Sequence, residues 1–267
     1  MRMECKKGIV LTALMSTALF AQADLLFSDS FDRANSTDIN ANSAASQSGS
    51  VAPLTYGVFA TNTVVDTAIV GNRVLVSVDG AGAQRFVPNT NFASAAVAAE
   101  GGFEISYTVK TGVDFTGTVQ GNHAHNLYLG QKSIVEGNSS VANSFYSLVV
   151  TLSGNGLFSV RSQGATLFSN VAATGFNVRG DNDVRLVVDT DSFAAANENS
   201  FSLYINEVLM GSTNFAWRAA NDLRFGFEAV NYAAEFDNLQ IQSIPEPATL
   251  GLFILSGVGA ILFRRLI

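Results

Sequence analysis

Two carboxylates two residues apart on a strand project to the same face, which is one way a chain brings a pair of acids to a sugar. Glu235-Phe236-Asp237 has that spacing, while Glu104 stands alone between Phe103 and Ile105. No second acid joins either of them beside an aromatic groove, so the reading is of a protein that is not an enzyme, with no catalytic residue assigned. Asp29, Asp32 and Asp237, with Asp38 nearby, are candidate oxygen donors to a structural Ca²⁺, provided the first and last strands pair. The same Asp residues equally suit caps and turns. His123-Ala124-His125 sets two imidazoles on one side of an extended segment, a geometry metals accept, but no cysteine or further histidine supports it. These histidines read instead as polar loop residues beside the strand that starts at Asn126. No Ser-His-Asp grouping and no strand–Gly-rich loop–helix for phosphate is present.

Sugars are held by exposed aromatic faces together with amide and acid hydrogen-bonding groups. Trp217, the single tryptophan, falls between strands in Asn214-Phe215-Ala216-Trp217-Arg218. Asn231 and Tyr232 fall in another loop and Tyr56 in a third. These four are the candidate carbohydrate-binding residues, because loops on a sandwich are where such sites are built. The alternative for Trp217 is that it covers an edge of the core.

The elements that position these residues are strands. Residues 24–243 carry alternating or β-branched and aromatic runs, divided by turns such as Asp79-Gly80, Ser153-Gly154-Asn155-Gly156 and Gly180-Asp181-Asn182-Asp183. The odd positions of Phe103-Glu104-Ile105-Ser106-Tyr107-Thr108-Val109-Lys110 are apolar and the even ones polar, as in a strand with one face buried. The same phase holds in Phe201-Ser202-Leu203-Tyr204-Ile205. The fold class predicted is all-β, a two-sheet antiparallel sandwich. Residues 34–56 read as loop, and 92–99 as loop or a short helix.

Both ends differ from this middle. Arg2, Lys6 and Lys7 precede an apolar run that closes on Ala21-Gln22-Ala23, the layout of a signal peptide over residues 1–23, cut by signal peptidase after Ala23. Residues 244–267 contain Pro245-Glu246-Pro247, an uncharged run over 248–263, and Arg264-Arg265. As a helix that run is about 24 Å long, short of the ~30 Å hydrocarbon core but close enough for bilayer thinning to absorb the difference. The arginines would then lie on the cytoplasmic side, and the bulk of the chain outside the inner membrane. Without the two ends, residues 24–244 hold 10 basic and 20 acidic residues. That excess of negative charge excludes nucleic acid and anionic lipid as partners. The one cysteine, Cys5, lies in the leader, so the remainder has no disulfide, thiolate metal site or cysteine nucleophile.

The order Pro-Glu-Pro, apolar helix, terminal arginines resembles the PEP-CTERM sorting signal of bacterial surface proteins. The resemblance implies recognition and removal of the tail by an exosortase, a transient membrane anchor, and a final place at the cell surface or in an exopolysaccharide and biofilm matrix. The middle resembles the concanavalin A-like jelly roll, as in laminin G-like and laminarinase-type domains. That resemblance rests on Asp183–Asp189, Phe201–Leu209, Leu223–Phe227, the closing Glu235–Ile241 and the opening Phe27–Asp32. It implies that the first and last strands lie side by side. Laminarinase-type enzymes carry Glu-x-Asp-x-x-Glu on one strand; here the last position is Gln240. Where the family turns on Asn-Gly, this chain has Asn206-Glu207, and a turn of another type is expected because Glu tolerates a positive φ poorly. The function expected is an exported, non-enzymatic surface or matrix module that contacts extracellular polysaccharide. The alternatives are a polysaccharide-degrading hydrolase or lyase on the same fold and a purely structural matrix protein.

Overall fold

A computed structural model describes residues 23–60, 66–78, 82–93, 101–113, 122–130, 135, 146–218 and 221–244. The leader and the sorting motif (Pro245, Glu246, Pro247, Arg264 and Arg265) lie outside the described residues, as does 94–99 of the alanine-rich stretch. Residues 23–246 form one compact unit, which carries every element below. No described helix is long and apolar enough to cross a membrane.

The chain forms β1 (Leu25–Asp29), β2 (Gln47–Ser48), β3 (Tyr56–Ala60), β4 (Thr67–Val70), β5 (Arg73–Val76), β6 (Ala83–Pro88), β7 (Gly101–Thr111) and β8 (Ala124–Gly130). It continues with β9 (Leu148–Ser153), β10 (Leu157–Ser162), β11 (Ala165–Ala172), β12 (Asn182–Thr190), β13 (Glu198–Ile205), β14 (Val208–Ala216), β15 (Arg224–Val230) and β16 (Ala234–Ser243). One sheet of nine strands runs β14-β13-β12-β7-β16-β1-β2, with β5 also on β16 and β4 on β5. The other, of seven strands, runs β11-β10-β9-β8-β15-β6-β3. Every recorded pairing is antiparallel. This is a jelly-roll sandwich, as the sequence indicates, and β1 lies beside β16 with Asp29 opposite Leu239.

The period-two patterns set which faces meet. Phe103, Ile105, Tyr107 and Val109 of β7 are buried and face Phe225 and Phe227 of β15 across the core. At the centre, Phe86 stacks on Phe227 at 5.1 Å and meets Phe236 edge-on at 5.3 Å. Each such fully buried ring contributes roughly 1.5–3 kcal/mol relative to exposure. With no disulfide in this unit, rings of this kind are the main source of its stability.

Four stretches differ from the sequence reading. Residues 34–56 are not all loop: β2 lies within them, and β3 begins at Tyr56. β11 and β6 were not evident as strands either. The turn at Asn206-Glu207 is of the type Asn-Gly would make, with φ of 49° at Asn206 and 63° at Glu207. Pairing of Ile205 with Val208 closes the hairpin over two residues, and the twist of the flanking strands imposes positive φ on both.

Candidate functional site

The outer face of the nine-stranded sheet carries the polar half of each alternating strand. Near its middle, β16 is irregular: register shifts between Asp237 and Gln240, and Asn238 takes a φ of 51°. Asparagine accepts that conformation more readily than most residues. The irregularity coincides with a change of neighbour, since β16 pairs with β5 through Ala234–Phe236 and with β1 through Leu239–Gln242. Two hollows flank the bulge and share Asn238 and Gln240. One, of about 380 Å³, is lined by Ser28, Ser30, Ser46 and Ser48. The other, of about 300 Å³, is lined by Ser106, Thr108, Asp183, Arg185 and Glu207. Together they make a groove that crosses β2, β1, β16, β7 and β12, roughly 19 Å at ordinary strand spacing.

The groove is rich in hydroxyls and amides, and its charged lining is Asp29, Asp183 and Glu207 against Arg185. Arg185 meets Glu104 and Glu207, each at 3.3 Å, and its guanidinium lies 3.9 Å over the ring of Tyr204. Thr108 donates to Asp183 at 2.8 Å, and the Ser28 and Ser48 hydroxyls are bonded at 2.7 Å. Among the described residues Gln240 and Ser106 make no side-chain hydrogen bond, and both line the second hollow.

Beside the groove lies a charge cluster. Arg73 forms a forked pair with Asp181 at 2.6 and 2.9 Å, and stands 3.6 Å from Glu235 and 3.8 Å from Asp237. Lys110 reaches Glu235 at 3.9 Å. Burial, with some repulsion from Asp32 and Asp181, raises the Asp237 pKa; the bond from Arg73 lowers that of Asp181. Glu235, Asp237 and Glu104 are thus each engaged by a cation.

The proposed Ca²⁺ donors are not assembled. Asp29 is fully buried, and its two oxygens accept from the Phe31 amide, Arg33, Ser46, Gln47 and Tyr56. That network pins the segment after β1 and leaves no oxygen facing a cation, which corrects the expectation for Asp29. Asp32 is exposed, and Asp237 faces Arg73. Among the described residues no group of three His, Cys, Asp or Glu side chains is placed to hold a metal ion.

Two of the aromatic candidates, Trp217 and Tyr56, are corrected as well. Trp217 has no exposed surface: Phe193 and Phe215 enclose it at 5.1 and 6.0 Å. It closes a core edge and offers no face to a sugar. Tyr56 is buried and spends its hydroxyl on Asp29. Tyr232 is half-buried against His123, ring centres 4.1 Å apart, and Asn231 donates to the Asn122 carbonyl. Trp217 and the Asn231–Tyr232 turn lie beyond opposite ends of β15, a strand of 7 residues, and so do not share a site. His125 is not in a loop: it lies in β8, fully buried, with its Nε2 3.1 Å from the Tyr107 hydroxyl. Burial pushes its pKa down to about 3, which keeps the ring neutral.

Sequence reasoning also missed a polar knot on the outer face of the seven-stranded sheet. Arg85 donates to Glu228 at 2.8 Å and to the Val135 carbonyl at 2.7 Å, and lies 3.9 Å over the Tyr128 ring. The other Glu228 oxygen accepts from Asn126 and Tyr128. Gly226 leaves room for this: a Cβ there would come within 2.7 Å of the Arg85 side chain. β8 and β15 have polar residues on the outer side, but burial of that side was not visible in the pattern, and β6 carries polar residues on both faces. A carboxylate so fully engaged is a structural group.

Comparison with known proteins fits this picture at the level of fold. The sequence matches no protein-family model and no curated protein. Among solved structures, a sialidase is similar at a TM-score of 0.50 and 9% identity, over 84% of this chain. This chain spans only 18% of the length of that protein. The exoplasmic/lumenal domain of VIP36, in a Ca²⁺/Man₃GlcNAc-bound form, gives 0.48 at 12% identity over 72% of this chain and 86% of that one. The carbohydrate recognition domain of Emp46p, in a potassium-bound form, gives 0.46 at 10% identity over 70% and 87%. At 9% identity the likeness to the sialidase speaks to the sandwich and not to a ligand.

Proposed function

We propose that this chain is an exported, non-enzymatic surface or matrix module whose sandwich binds an uncharged polysaccharide along the groove over β2, β1, β16, β7 and β12. The observation that carries this is the lining: serine and threonine hydroxyls and two amides, with carboxylates at Asp29, Asp183 and Glu207 and a single arginine already matched by Glu104 and Glu207. A hydroxyl-rich polymer can exchange its water hydrogen bonds for these groups, whereas a polyanion would find no free cation there. Its length accommodates several sugar units in a row. Engagement of Glu104, Glu235, Asp237 and Glu228 by cations favours binding over hydrolysis.

In the same proposal, signal peptidase removes residues 1–23. An exosortase then acts at Pro245-Glu246-Pro247, after the helix ending in Arg264-Arg265 has held the chain transiently in the inner membrane. The final place is the cell surface or the surrounding polysaccharide matrix.

The test is a pull-down of residues 23–246 against neutral and anionic polysaccharides, with reducing-end release followed in the same tubes. Retention on a neutral polymer without release is expected. The double variant Ser106→Ala/Gln240→Ala should weaken retention about tenfold, the cost of roughly one or two lost hydrogen bonds, while the thermal midpoint stays put. Release of reducing ends, or retention that the double variant leaves intact, overturns the assignment.

A further inference from the structure

The ladder that crosses the floor of the groove does not stop where the groove does. Ser48 of β2 faces Ser28 of β1, Ser28 faces Gln240 of β16, Gln240 faces Ser106 of β7, and Ser106 faces Arg185 of β12. Pairing carries the same row on to Tyr204 of β13 and Leu209 of β14. Two irregularities touch this row without breaking it. Gln240 is where pairing with β7 resumes after the shift that begins at Asp237. A shift after Leu203 sets Leu209, in place of Met210, opposite Tyr204. None of the seven side chains is buried, whereas both strand neighbours of Ser28, Gln240, Ser106, Arg185 and Tyr204 are. One outward row thus crosses seven strands, roughly 29 Å at ordinary spacing.

The last two members change the chemistry of the row. From Ser48 to Ser106 it offers hydroxyls and an amide. At Tyr204 and Leu209 it offers an aromatic ring and an aliphatic group, and Leu209 is 52% exposed. Arg185 joins the two parts: Glu104 and Glu207 hold its guanidinium, which lies 3.9 Å over the Tyr204 ring. Two residues further along β13, the Ser202 hydroxyl is bonded to that of Ser212 in β14 at 3.2 Å. An apolar face with hydroxyls beside it is a surface that a sugar ring can pack on and hydrogen-bond to.

Granted the binding groove, we infer that this row holds a single extended chain of a neutral polysaccharide at one sugar unit per strand, with its last two subsites at Tyr204 and Leu209. Strands lie ~4.8 Å apart, close to the length of one pyranose unit in an extended chain. A polymer laid across them therefore meets a fresh side chain with every sugar. Laid along a strand, it would meet an outward side chain only about every 7 Å. On β12 that path would also run onto the exposed Asp183 and Asp189. Twist selects the physical form of the ligand. Each strand is rotated by about 20–25° from the last, so the two ends of the row diverge by more than ~100°. A flat crystalline face cannot touch both ends, and a single dissolved chain can.

The experiment is isothermal titration of residues 23–246 with β-1,4-linked gluco- and manno-oligosaccharides and β-1,3-linked gluco-oligosaccharides, from two to about ten units long. In a series that binds, affinity is expected to rise about threefold per unit, as one modest net hydrogen bond for each sugar gives. It should level off at seven units, one for each strand of the row. Tyr204→Ala should move that plateau to five units, those over β2, β1, β16, β7 and β12. Ser28→Trp, which stands a bulky ring in the row at β1, should also leave five, and the two changes together three. A mere loss of stability would weaken all lengths alike and leave the plateau in place. Affinity that is flat with length, a plateau that neither variant moves, or tighter binding to a crystalline polymer than to its dissolved chains overturns the inference and leaves the groove standing. Failure of every series overturns it too, and the groove falls with it if the pull-down retains no polymer.

Discussion

Asp29 shows how far a single residue departs from what its type suggests. As a sequence feature it is one acid among several near the opening strand, and its type fits a cation ligand. In the fold it is the acceptor for five donors and the partner of Arg33 at 3.2 Å, both side chains almost wholly buried. Asp29→Ala would leave Arg33 buried without its countercharge, and a loss of about 3–5 kcal/mol is expected by urea denaturation. Glu207 makes the opposite case. It holds a φ of 63° that favours glycine, and its ion pair with Arg185 is exposed and contributes little. Glu207→Gly is expected to stabilise the domain by about 1 kcal/mol, read as a higher urea midpoint at unchanged slope. Trp217 was legible as an aromatic between strands that either binds a sugar or covers a core edge, and the structure decides for the core edge. Whether such a residue faces a neighbouring phenylalanine or solvent depends on how the connection folds back, and Phe193, its closest ring, is distant in sequence.

At the scale of elements, the sequence declared the strands whose two faces meet different media. β7, β12, β13 and β16 alternate because one side is core and the other water, and all four were readable. β6 was hidden because its outward Arg85 and inward Gln84 are both buried, which erases the contrast. β11 was hidden for the reverse reason, since both its faces are largely exposed. The groove was legible only in part: the fold's closing strand was recognised, but the bulge at Asn238 between the two hollows coincides with a change of partner along β16 that no local pattern announces. His125 lay at the margin of a strand that began two residues earlier than expected, and its burial has a measurable consequence. Its pKa in the folded protein, about 3, lies below the usual value of 6.5, so the unfolded chain binds more protons between those limits. Stability must then fall as pH drops below about 6.5, by up to about 1.4 kcal/mol per unit for one such group. His123 is shifted in the same direction by desolvation and adds to the slope. Asp181, held low by Arg73, loses its contribution only below the ordinary carboxylate range, while Asp237, raised by burial, works the other way. Thermal midpoints between pH 7 and pH 5 should therefore decline, and His125→Gln should flatten the decline. A slope unaffected by that substitution would show that His125 is protonated without cost.

Across the whole molecule, the acidic balance, the absence of cysteine from the sandwich and the dense aromatic core describe a domain that holds together by burial alone. The outer faces then divide the labour: one sheet offers a polar groove, and the other buries the Arg85–Glu228 pair. Topology adds a temporal constraint. β16 sits inside its sheet and pairs with β7, β5 and β1, and the Asp24 amide donates to a Ser243 hydroxyl 219 residues away. Contacts of such sequence separation form slowly, because a long loop must close before they are rewarded. During synthesis, β1, β5 and β7 must wait for a central partner that is made last, so the nine-stranded sheet cannot close until residue 243 has been added. A chain bound for an export channel would by that delay remain threadable until nearly all of the sandwich has been made.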